Sequence, residues 1–538
     1  MSYFLISNLP VASPNHAIEQ IQTFNSSNYN ITLTGKGTFN SYRKEDESTI
    51  LIILGNPIFK NNFNSLIQNI SISELALHPE NIFEIFNQIN GICGILVIHK
   101  KNNSILIATD PLGYFPIFIY ESDESLVITS ELKQLWNSLS EHPELDTNAI
   151  LEYYNNGHFI SGKTWYKNCH KVLPSTFLIL NTTTGTYSQS FYWTWKKVIR
   201  SENANEKKKT EYYNSFIELF KAIDLSSQKI GVGLSGGLDS RWVAYELQKS
   251  KAQLSSYTLS QNNSIEQSTA KKISSILKIK HHTFPLSFEN WFEKRLYQFW
   301  SVDGLIPIHQ FHEGPIYNEL NDHYDMIATG FYGGGIYASE TECNQKINSQ
   351  IANRFLSFLT SPPYTELEHF SINCIDPYLS WQKISNLGAL QVYTMSKSIP
   401  VLLPFYNMNW MQVNYSIDDR DQIYSKFFLE VLNDNLPKEI NSFIWQRTLL
   451  PSKFQKLNFL IQKFQLNKVL KLILQKFGMN IQFVKYDNLQ DKMNEIITNE
   501  SKPEFLENIK PITIENKFRY ISILLWLKMN KERSHNVL

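Results

Sequence analysis

Residues 230–240 read IGVGLSGGLDS, an apolar strand pattern followed by a turn that opens a helix. The adjacent Gly236 and Gly237 let the backbone approach an anion closely, and a helix N-terminus offers N–H groups and a favourable dipole. The flanking serines add hydroxyl donors, and Asp239 can hold a divalent cation that neutralises phosphate charge. The stretch therefore predicts a phosphate-binding loop, distinct from the lysine-containing Walker loop. The alternative is a glycine-rich structural turn.

The sequence on both sides of this loop alternates between strand and helix patterns. The predicted elements are strand 229–233, helix 241–249, strand 253–258, helix 266–277 and strand 281–286. Such alternation predicts a parallel sheet with crossover helices, which binds ligands at the carboxyl ends of its strands. A short strand at 326–329 leads into a second glycine-rich stretch at 330–335, and the pattern after about residue 365 is mostly helical.

The N-terminal part of the chain has short β patterns separated by polar or Gly, Pro and Asn turns. The predicted strands are 49–54, 92–99, 104–109, 117–120 and 126–129, with helices at 82–90 and 147–154. Asp146 is the expected N-cap of the second helix. Interleaved strands and helices predict a layered α+β domain. A charged stretch at 201–209 is the linker candidate, so the predicted division is domain 1–195, linker 196–213 and domain 214–538.

The composition limits the classes of function that the chain can have. The 538 residues are too many for one ordinary core, and 42% hydrophobic with 19% charged residues is typical of a folded globular protein. Fifty basic residues balance fifty acidic ones, which argues against a general nucleic-acid or membrane-surface binder. No signal peptide or apolar span is evident, so a cytoplasmic location is expected. The apolar helix candidates at 459–472 and 520–529 are interrupted by lysines and predict amphipathic packing helices.

The SGGLDS stretch resembles the pyrophosphatase loop (PP-loop) of asparagine synthetases and their relatives, which include β-lactam synthetases and lasso-peptide cyclases. Further stretches resemble landmarks of that family in the same order: IATDPLGYFPIFIY at 107–120, TSELK at 129–133, KVLPS at 171–175 and the histidine pair at 281–282. The resemblance implies two domains. The N-terminal one would be an α+β, Ntn-type glutaminase-like sandwich of two stacked sheets flanked by helices, and the C-terminal one an α/β parallel-sheet synthetase domain with a helical end.

The resemblance also implies a chemistry. In this family a carboxylate attacks the α-phosphate of ATP, which gives an acyl-adenylate and pyrophosphate, and an amine then displaces AMP. ATP and Mg²⁺ are therefore the expected cofactors, since stabilising the departing pyrophosphate is an electrostatic task that suits the loop. The residues expected to bind the nucleotide are Leu234, Ser235, Gly236, Gly237, Leu238, Asp239, Ser240 and Gly330.

The sequence departs from the family in its glutaminase half. Glutamine-using members place a cysteine after the initiator Met, whereas this chain has Ser2, followed by bulky Tyr3 and Phe4 in place of a small Gly-Ile step. The family's Arg-Gly-Pro-Asp segment has no counterpart here. We therefore expect a glutaminase-like domain without glutaminase activity, with an N-terminal Ser2 nucleophile as the alternative.

The synthetase half departs as well. The second glycine-rich stretch lacks the family's Asp, so the nearest carboxylate is Glu340, and the family's C-terminal lysine has only Lys453 as an approximate counterpart. Asp303 is a candidate for a further acidic position. The expected catalytic residues are Asp239, Glu340 and Lys453, and the expected metal ligands are Asp239 and Asp303.

These observations favour ATP-dependent amide-bond formation without glutamine hydrolysis, with a lasso-peptide-type macrolactam cyclase as the specific hypothesis. A small-molecule or peptide carboxylate is the expected substrate, a precursor peptide and a protease are candidate partners, and neither nucleic acid nor membrane is expected to bind. β-Lactam formation and asparagine synthesis are neighbouring activities. From a different class, the chain could be a catalytically degenerate ATP-binding scaffold, a hypothesis that the missing carboxylates favour.

Overall fold

The computed structural model describes residues 3–9, 20–26, 28–35, 40–68, 70–139, 141–200, 204–262, 264–331, 333, 366, 369–370, 376–476 and 486–533. Within these residues the strands form two six-stranded sheets, one five-stranded sheet and one two-stranded hairpin. No helix in the described ranges is long and apolar enough to cross a membrane.

The two six-stranded sheets occupy the N-terminal part and are antiparallel throughout. The first has the order β10-β8-β9-β1-β3-β2 and the second the order β12-β11-β7-β6-β5-β4. Their strands are β1 (Tyr3–Ser7), β2 (Gln20–Ser26), β3 (Tyr29–Gly35), β4 (Asn40–Glu45), β5 (Thr49–Phe59), β6 (Ile89–His99), β7 (Ser104–Ala108), β8 (Phe118–Glu121), β9 (Leu126–Thr129), β10 (Cys169–Lys171), β11 (Thr176–Asn181) and β12 (Tyr187–Phe191).

Position within the sheet explains the sequence of the central strands. Strand β6 lies between β5 and β7, and all eleven of its residues are buried. A strand that is covered on both faces needs an almost continuous apolar run, which INGICGILVIH supplies, instead of an alternating pattern. The predicted β-rich N-terminal part is thus confirmed at the level of its sheets.

The five-stranded sheet lies in the C-terminal part and is parallel, with the order β15-β14-β13-β16-β17. Its strands are β13 (Lys229–Gly233), β14 (Gln253–Ser260), β15 (Lys280–Pro285), β16 (Met326–Ala328) and β17 (Val401–Leu402), and the hairpin consists of β18 (Ile444–Trp445) and β19 (Leu450–Pro451). Strand β13 is central, and the strand order reverses between it and β16. The predicted parallel sheet is confirmed.

Helices connect and cover the sheets. In the described residues the α-helices are Phe63–Gln68, Ile82–Asn87, Leu135–Ser138, Thr147–Asn156, Glu206–Ala222, Leu238–Gln248, Ile265–Ile276, Leu296–Ser301, Tyr317–His323, Asp376–Lys383, Ala389–Ser396, Met408–Ser416, Asp419–Gln422, Lys426–Asn435, Lys438–Asn441, Gln455–Lys463, Asn467–Lys476, Gln490–Asn499, Glu504–Glu507 and Ile514–Arg533. The predicted helical character of the C-terminal region is confirmed for the part of it that is described.

Local capping accounts for where two helices begin. Asp146 accepts a hydrogen bond from the N–H of Ala149, as the sequence predicts for the helix Thr147–Asn156, and Gly157 ends that helix in the left-handed conformation. The helix Glu206–Ala222 begins within the predicted linker, where Asn205 caps the N–H of Lys208. The charged residues assigned to a linker therefore form a first helical turn, while the division into domains stays a prediction.

A buried cluster of four charges joins the N-terminal part to the C-terminal part. Glu131 and Lys133 pair at 2.8 Å, Lys397 pairs with Glu131 at 2.7 Å, and Asp303 lies 3.5 Å from Lys133. Each of the four side chains is almost completely buried. Although burial alone would raise it, the pKa of Glu131 lies at about 2 because the two lysines stabilise the carboxylate.

We expect Lys397→Met to destabilise the protein by about 3–5 kcal/mol, because it leaves Glu131 buried with one cation fewer. Urea unfolding followed by tryptophan fluorescence measures this loss. The matched control is Lys426→Met, which removes an exposed lysine paired with Asp421 at 3.0 Å and should cost less than about 1 kcal/mol. Equal, small effects of both substitutions would contradict a structural role for the cluster.

Candidate active site

A cleft of about 310 Å³ opens beside the loop that follows β13. Its walls also include the end of β14, the first turn of the helix Ile265–Ile276 and the residues that follow β16. The cleft thus lies at the carboxyl ends of β13 and β16, where the strand order reverses and parallel sheets bind ligands. The sequence-predicted loop occupies the position that this topology favours for a ligand.

The backbone of the SGGLDS loop is held by its own hydroxyl groups. The N–H of Ser235 donates to Oγ of Ser240 at 3.2 Å, and the N–H of Gly237 donates to Oγ of Ser235 at 3.1 Å. The two hydroxyl oxygens lie 3.2 Å apart. Both serines line the cleft, so their hydroxyls shape the loop and are available to a ligand.

The helix Leu238–Gln248 begins at this loop without a side-chain cap. Gly237 occupies the N-cap position, and no side chain accepts a hydrogen bond there. The N–H groups of a first helical turn have no partners within their helix, and together with the helix dipole they favour an anion. Asp239 lies in this first turn and lines the cleft, so a carboxylate that can hold a cation stands beside the anion site.

Two glycines serve this site in different ways. A Cβ atom at Gly237 would meet only Oγ of Ser235, at 3.2 Å, so the space beside Gly237 is otherwise open. A Cβ atom at Gly330 would lie 2.5 Å from the backbone nitrogen of Ser240. The absence of a side chain at Gly330 therefore lets the segment after β16 contact the start of the helix directly.

A buried arginine anchors the loop from behind. Arg241 donates from Nη2 to the carbonyl of Gly236 at 3.2 Å and from Nη1 to the carbonyl of Phe443 at 3.1 Å. The N–H of Gln446 donates to the same Gly236 carbonyl at 3.1 Å. The loop is thereby attached to the β18–β19 hairpin, which follows it by about two hundred residues in the sequence.

The opposite wall of the cleft is acidic. Glu266 accepts the N–H of Gly236 on Oε1 at 3.3 Å, while its buried Oε2 has no hydrogen-bond partner among the described residues. The hydroxyl of Tyr257 donates to Glu313 at 3.5 Å. Burial raises the pKa of Glu266 to about 8 and that of Glu313 to about 7. Close to neutral pH these two groups therefore change charge within a cleft whose loop favours anions.

The residues predicted from the sequence separate into three groups. Those of the SGGLDS loop and Gly330 come together, and six of them line the cleft: Leu234, Ser235, Gly237, Asp239, Ser240 and Gly330. Gly236 contributes its N–H and carbonyl to the bonds described above, and Leu238 is buried in the first turn of the helix. Glu340 lies outside the described residues.

Asp303 and Lys453 lie apart from this cleft. The two oxygens of Asp303 accept the N–H groups of Leu132 and Lys133 at 2.8 and 3.1 Å, so its carboxylate is used in the buried charge cluster. The side chain of Lys453 is exposed, with Nζ 5.4 Å from the ring centre of Phe454. The roles of Asp303 as a metal ligand and Lys453 as a catalytic cation stay predictions without a contact in support.

The donor set of the cleft is suited to a single phosphate-bound cation. Within the described ranges, no group of three or more His, Cys, Asp or Glu side chains is arranged to hold a metal ion. Magnesium bound to phosphates usually takes only one or two protein carboxylates and keeps several waters. Asp239 would supply such a carboxylate, and the ion would neutralise charge on the phosphates.

Sequence reasoning missed the acidic wall. Glu266 lies in the first turn of the helix after β14, at the same edge of the sheet as the loop, so the topological rule could have identified it. Glu313 comes from an irregular segment between two short 3₁₀ turns, where no periodic pattern marks it. Its position became evident only from the folded chain.

Two family models match the chain. Residues 75–193 match the glutamine amidotransferase domain, and residues 221–308 match asparagine synthase. The second match includes the SGGLDS loop and Glu266, and the two matches lie in the order that the sequence resemblance implies. The chain is similar to the asparagine synthetases.

A curated relative supports the same similarity. A protein of Methanocaldococcus jannaschii assigned as asparagine synthetase (glutamine-hydrolyzing) 2 is 25% identical over 210 residues. The matched region covers 37% of this chain and 40% of that protein. The similarity to an asparagine synthetase thus concerns less than half of either chain, and activity and substrates of the whole protein belong to the proposal below.

Two solved structures also align with parts of the chain. One is a glutamine phosphoribosylpyrophosphate amidotransferase from B. subtilis complexed with ADP and GMP, at 11% identity and a TM-score of 0.21, covering 49% of this chain and 78% of that one. Another is described as the allosteric regulatory enzyme of purine biosynthesis. It aligns at 12% identity with a TM-score of 0.21, covering 53% of this chain and 74% of that one.

We expect the affinity of the cleft for MgATP to fall as pH rises through about 8. Ionised Glu266 would repel phosphates and hold the N–H of Gly236, whereas its protonated form lacks the charge. One coupled proton predicts a loss of about tenfold per pH unit above that pKa. Calorimetric titration with MgATP between pH 7.5 and 9.5 measures the dependence.

Glu266→Gln should flatten this pH profile, because the amide cannot ionise. The control Glu246→Gln changes a glutamate that is also buried but bonds to Tyr213 outside the cleft, and its profile should follow that of the unmodified protein. A profile that keeps its slope in Glu266→Gln would show that another group governs binding.

Proposed function

We propose that this chain forms an amide bond at the expense of ATP, through an acyl-adenylate, with release of AMP and pyrophosphate. The observation that carries the proposal is the cleft at the end of β13, where an uncapped helix start, two serine hydroxyls and Asp239 face one space. The similarity of residues 221–308 to asparagine synthase supports ATP-dependent amidation as the class of reaction.

In the proposed reaction a carboxylate oxygen of the substrate attacks the α-phosphorus of ATP. The bond from the α-phosphorus to the bridging oxygen breaks, and pyrophosphate leaves with that electron pair. Ser235, Ser240 and the first-turn N–H groups would stabilise the leaving charge, and Asp239 would hold a cation that neutralises it. An amine then attacks the acyl carbon, loses a proton and releases AMP.

We further propose that the amine comes from the substrate instead of from glutamine. Ser2 lies outside the described residues, but the next two residues are bulky and buried, and Phe4 stacks on Phe115 at 6.3 Å. The family match in the N-terminal part begins only at residue 75. An amine already present on the substrate suits a ligase or a macrolactam cyclase of the lasso-peptide type, with a precursor peptide and a protease as candidate partners.

A specific observation favours a second candidate, an ATP-binding scaffold without turnover. Neither Asp303 nor Lys453 lines the cleft, and two carboxyl groups oppose the loop. A site with one cation-holding carboxylate among the described residues and an acidic opposite wall could bind a nucleotide without stabilising the transition state. Pyrophosphate exchange distinguishes the two candidates.

We expect carboxylate-dependent exchange of labelled pyrophosphate into ATP, tested with aspartate and with peptides that carry free carboxylates. Asp239→Asn should lower the exchange rate by about 10²–10³, the usual effect of losing a transition-state charge partner. The control Asp224→Asn alters an exposed aspartate bonded to Ser226 and should leave exchange unchanged. Tight ATP binding with no exchange for any carboxylate would favour the scaffold.

Glutamine should not serve as the nitrogen source. Purified protein incubated with glutamine should release no glutamate above a buffer blank in a coupled glutamate dehydrogenase assay, with or without ATP. Ser2→Ala should give the same result as the unmodified protein. Release of glutamate that stops in Ser2→Ala would identify Ser2 as an N-terminal nucleophile and contradict the proposal.

A further inference from the structure

The segment 453–476 exposes apolar side chains to an extent not found elsewhere in the described residues. Fourteen large apolar side chains in the described ranges are more than a third exposed, and eight of them lie in this segment. They are Phe454, Leu457, Leu460, Phe464, Leu466, Val469, Leu472 and Ile473. Leu472 is 62% exposed and Phe464 61%, so these are open surfaces and not the rims of a core.

The exposed side chains follow the helical period. In the helix Gln455–Lys463 and the residue after it, Leu457, Leu460 and Phe464 are spaced by three and four residues. In the helix Asn467–Lys476, Val469, Leu472 and Ile473 repeat this spacing. Residues at such spacings share one face of a helix, so each helix presents an apolar stripe to solvent.

The sequence expectation that region 459–472 forms a packing helix is therefore wrong for its second helix. None of the described side chains of Asn467–Lys476 is buried. The other predicted packing helix, Ile514–Arg533, behaves as expected, with Phe518, Ile521 and Trp526 buried. Both segments contain lysines and apolar residues. The helix Gln455–Lys463 buries Ile461 and packs Phe459 on Tyr424, whereas no described side chain of Asn467–Lys476 is buried.

Charge in this region is strongly one-sided. Residues 440–486 contain one arginine and seven lysines and no aspartate or glutamate, in a chain whose total charge is zero. Lys456, Lys468 and Lys476 are exposed. No ion pair between described residues includes Lys453, Lys456, Lys468, Lys471 or Lys476. Within the described residues, the apolar stripes are thus accompanied by five lysines that form no ion pair.

We propose that segment 453–476 docks on an anionic phospholipid bilayer. A helix that combines a leucine- and phenylalanine-rich face with lysines lies in the plane of a membrane interface, with its apolar face among the upper acyl chains and its ammonium groups at the phosphates. Lysine side chains can reach the headgroups while their stems cover apolar surface. The inference concerns this surface alone and does not depend on the proposed amide chemistry.

The charge pattern also decides against a second copy of the chain as the occupant. A two-fold symmetric contact would bring two such segments together and place like charges opposite each other. The large aliphatic exposure is likewise foreign to a nucleic-acid surface, which is polar and contacts phosphates and bases. An anionic bilayer suits both the lysines and the exposed apolar side chains, since it offers negative headgroups above hydrocarbon.

The segment 453–476 follows shortly after the β18–β19 hairpin, which contacts the SGGLDS loop. Gln446, seven residues before Lys453, donates its N–H to the carbonyl of Gly236, and Arg241 bonds to the neighbouring Phe443. The segment therefore continues from the hairpin that holds the back of the SGGLDS loop. Docking through 453–476 would bring the cleft-bearing part of the protein to the membrane surface.

Vesicle flotation of the full-length protein tests the proposal. With vesicles of phosphatidylcholine containing about 30 mol% phosphatidylglycerol, we expect most of the protein to float, and with pure phosphatidylcholine very little. Binding should weaken strongly at about 0.5 M NaCl because the lysine contribution is screened. Equal flotation with both lipids, or none with either, would overturn the proposal.

Substitutions on the segment separate lipid binding from other occupants. Val469→Ser/Leu472→Ser should lower the partition coefficient at least tenfold, and Lys468→Gln/Lys471→Gln about fivefold per lysine. The control Leu77→Ser removes a leucine that is 75% exposed outside the segment and should float like the unmodified protein. Circular dichroism checks that each variant folds.

Sedimentation velocity of the same proteins without lipid provides the opposing outcome. A stable dimer that Val469→Ser/Leu472→Ser converts to a monomer would assign the surface to a second copy and overturn the proposal. A monomer whose flotation requires both the apolar and the basic side chains supports it. Loss of flotation in Leu77→Ser to the same degree would also overturn it, because binding would then not be specific to the segment.

Discussion

The buried cluster of Glu131, Lys133, Asp303 and Lys397 is the constraint on which the arrangement of the two parts depends. Four charges removed from water are tolerable only if each finds its partners, and here the partners come from both parts of the chain. Separation of the parts would break the Lys397–Glu131 and Lys133–Asp303 pairs. The cluster also explains why Asp303 does not line the cleft beside the SGGLDS loop: its two oxygens accept the N–H groups of Leu132 and Lys133.

The cleft beside the SGGLDS loop combines a loop that favours anions with two carboxyl groups, those of Glu266 and Glu313, that repel anions when ionised. The helix start and the hydroxyls at 235 and 240 favour phosphate, whereas Glu266 takes one N–H of the same loop and Glu313 stands in the same space. Burial raises the pKa of Glu266 to about 8 and that of Glu313 to about 7, so both carboxyl groups change charge close to neutral pH. In the proposed nucleotide site, protonation of Glu266 and Glu313 would therefore be coupled to phosphate binding, a property of this arrangement and not of the loop motif alone.

Net charge conceals how unevenly this chain distributes its basic residues. A total of zero argues against binding to membranes or nucleic acids only if the charges are mixed, and between 440 and 486 they are not. The same helical period that buries Phe518 and Trp526 leaves Val469 and Leu472 in solvent. Amphipathic periodicity thus shows that one face of a helix is apolar. Whether the protein core or another partner covers that face depends on the surroundings of the helix.

The sequence by itself determined the features that depend on neighbouring residues: strand β13, the SGGLDS turn, the start of the helix Leu238–Gln248 and the Asp146 cap. Their spacing is set by the covalent chain, so pattern and propensity are sufficient. The parallel sheet followed from the same alternation. Only the tertiary structure decided that Glu313 lines the cleft, that Asp303 pairs with Lys133, and that the apolar face of Asn467–Lys476 stays open. Each of these depends on contacts between residues far apart in sequence, and a local pattern carries no information about which distant groups will meet.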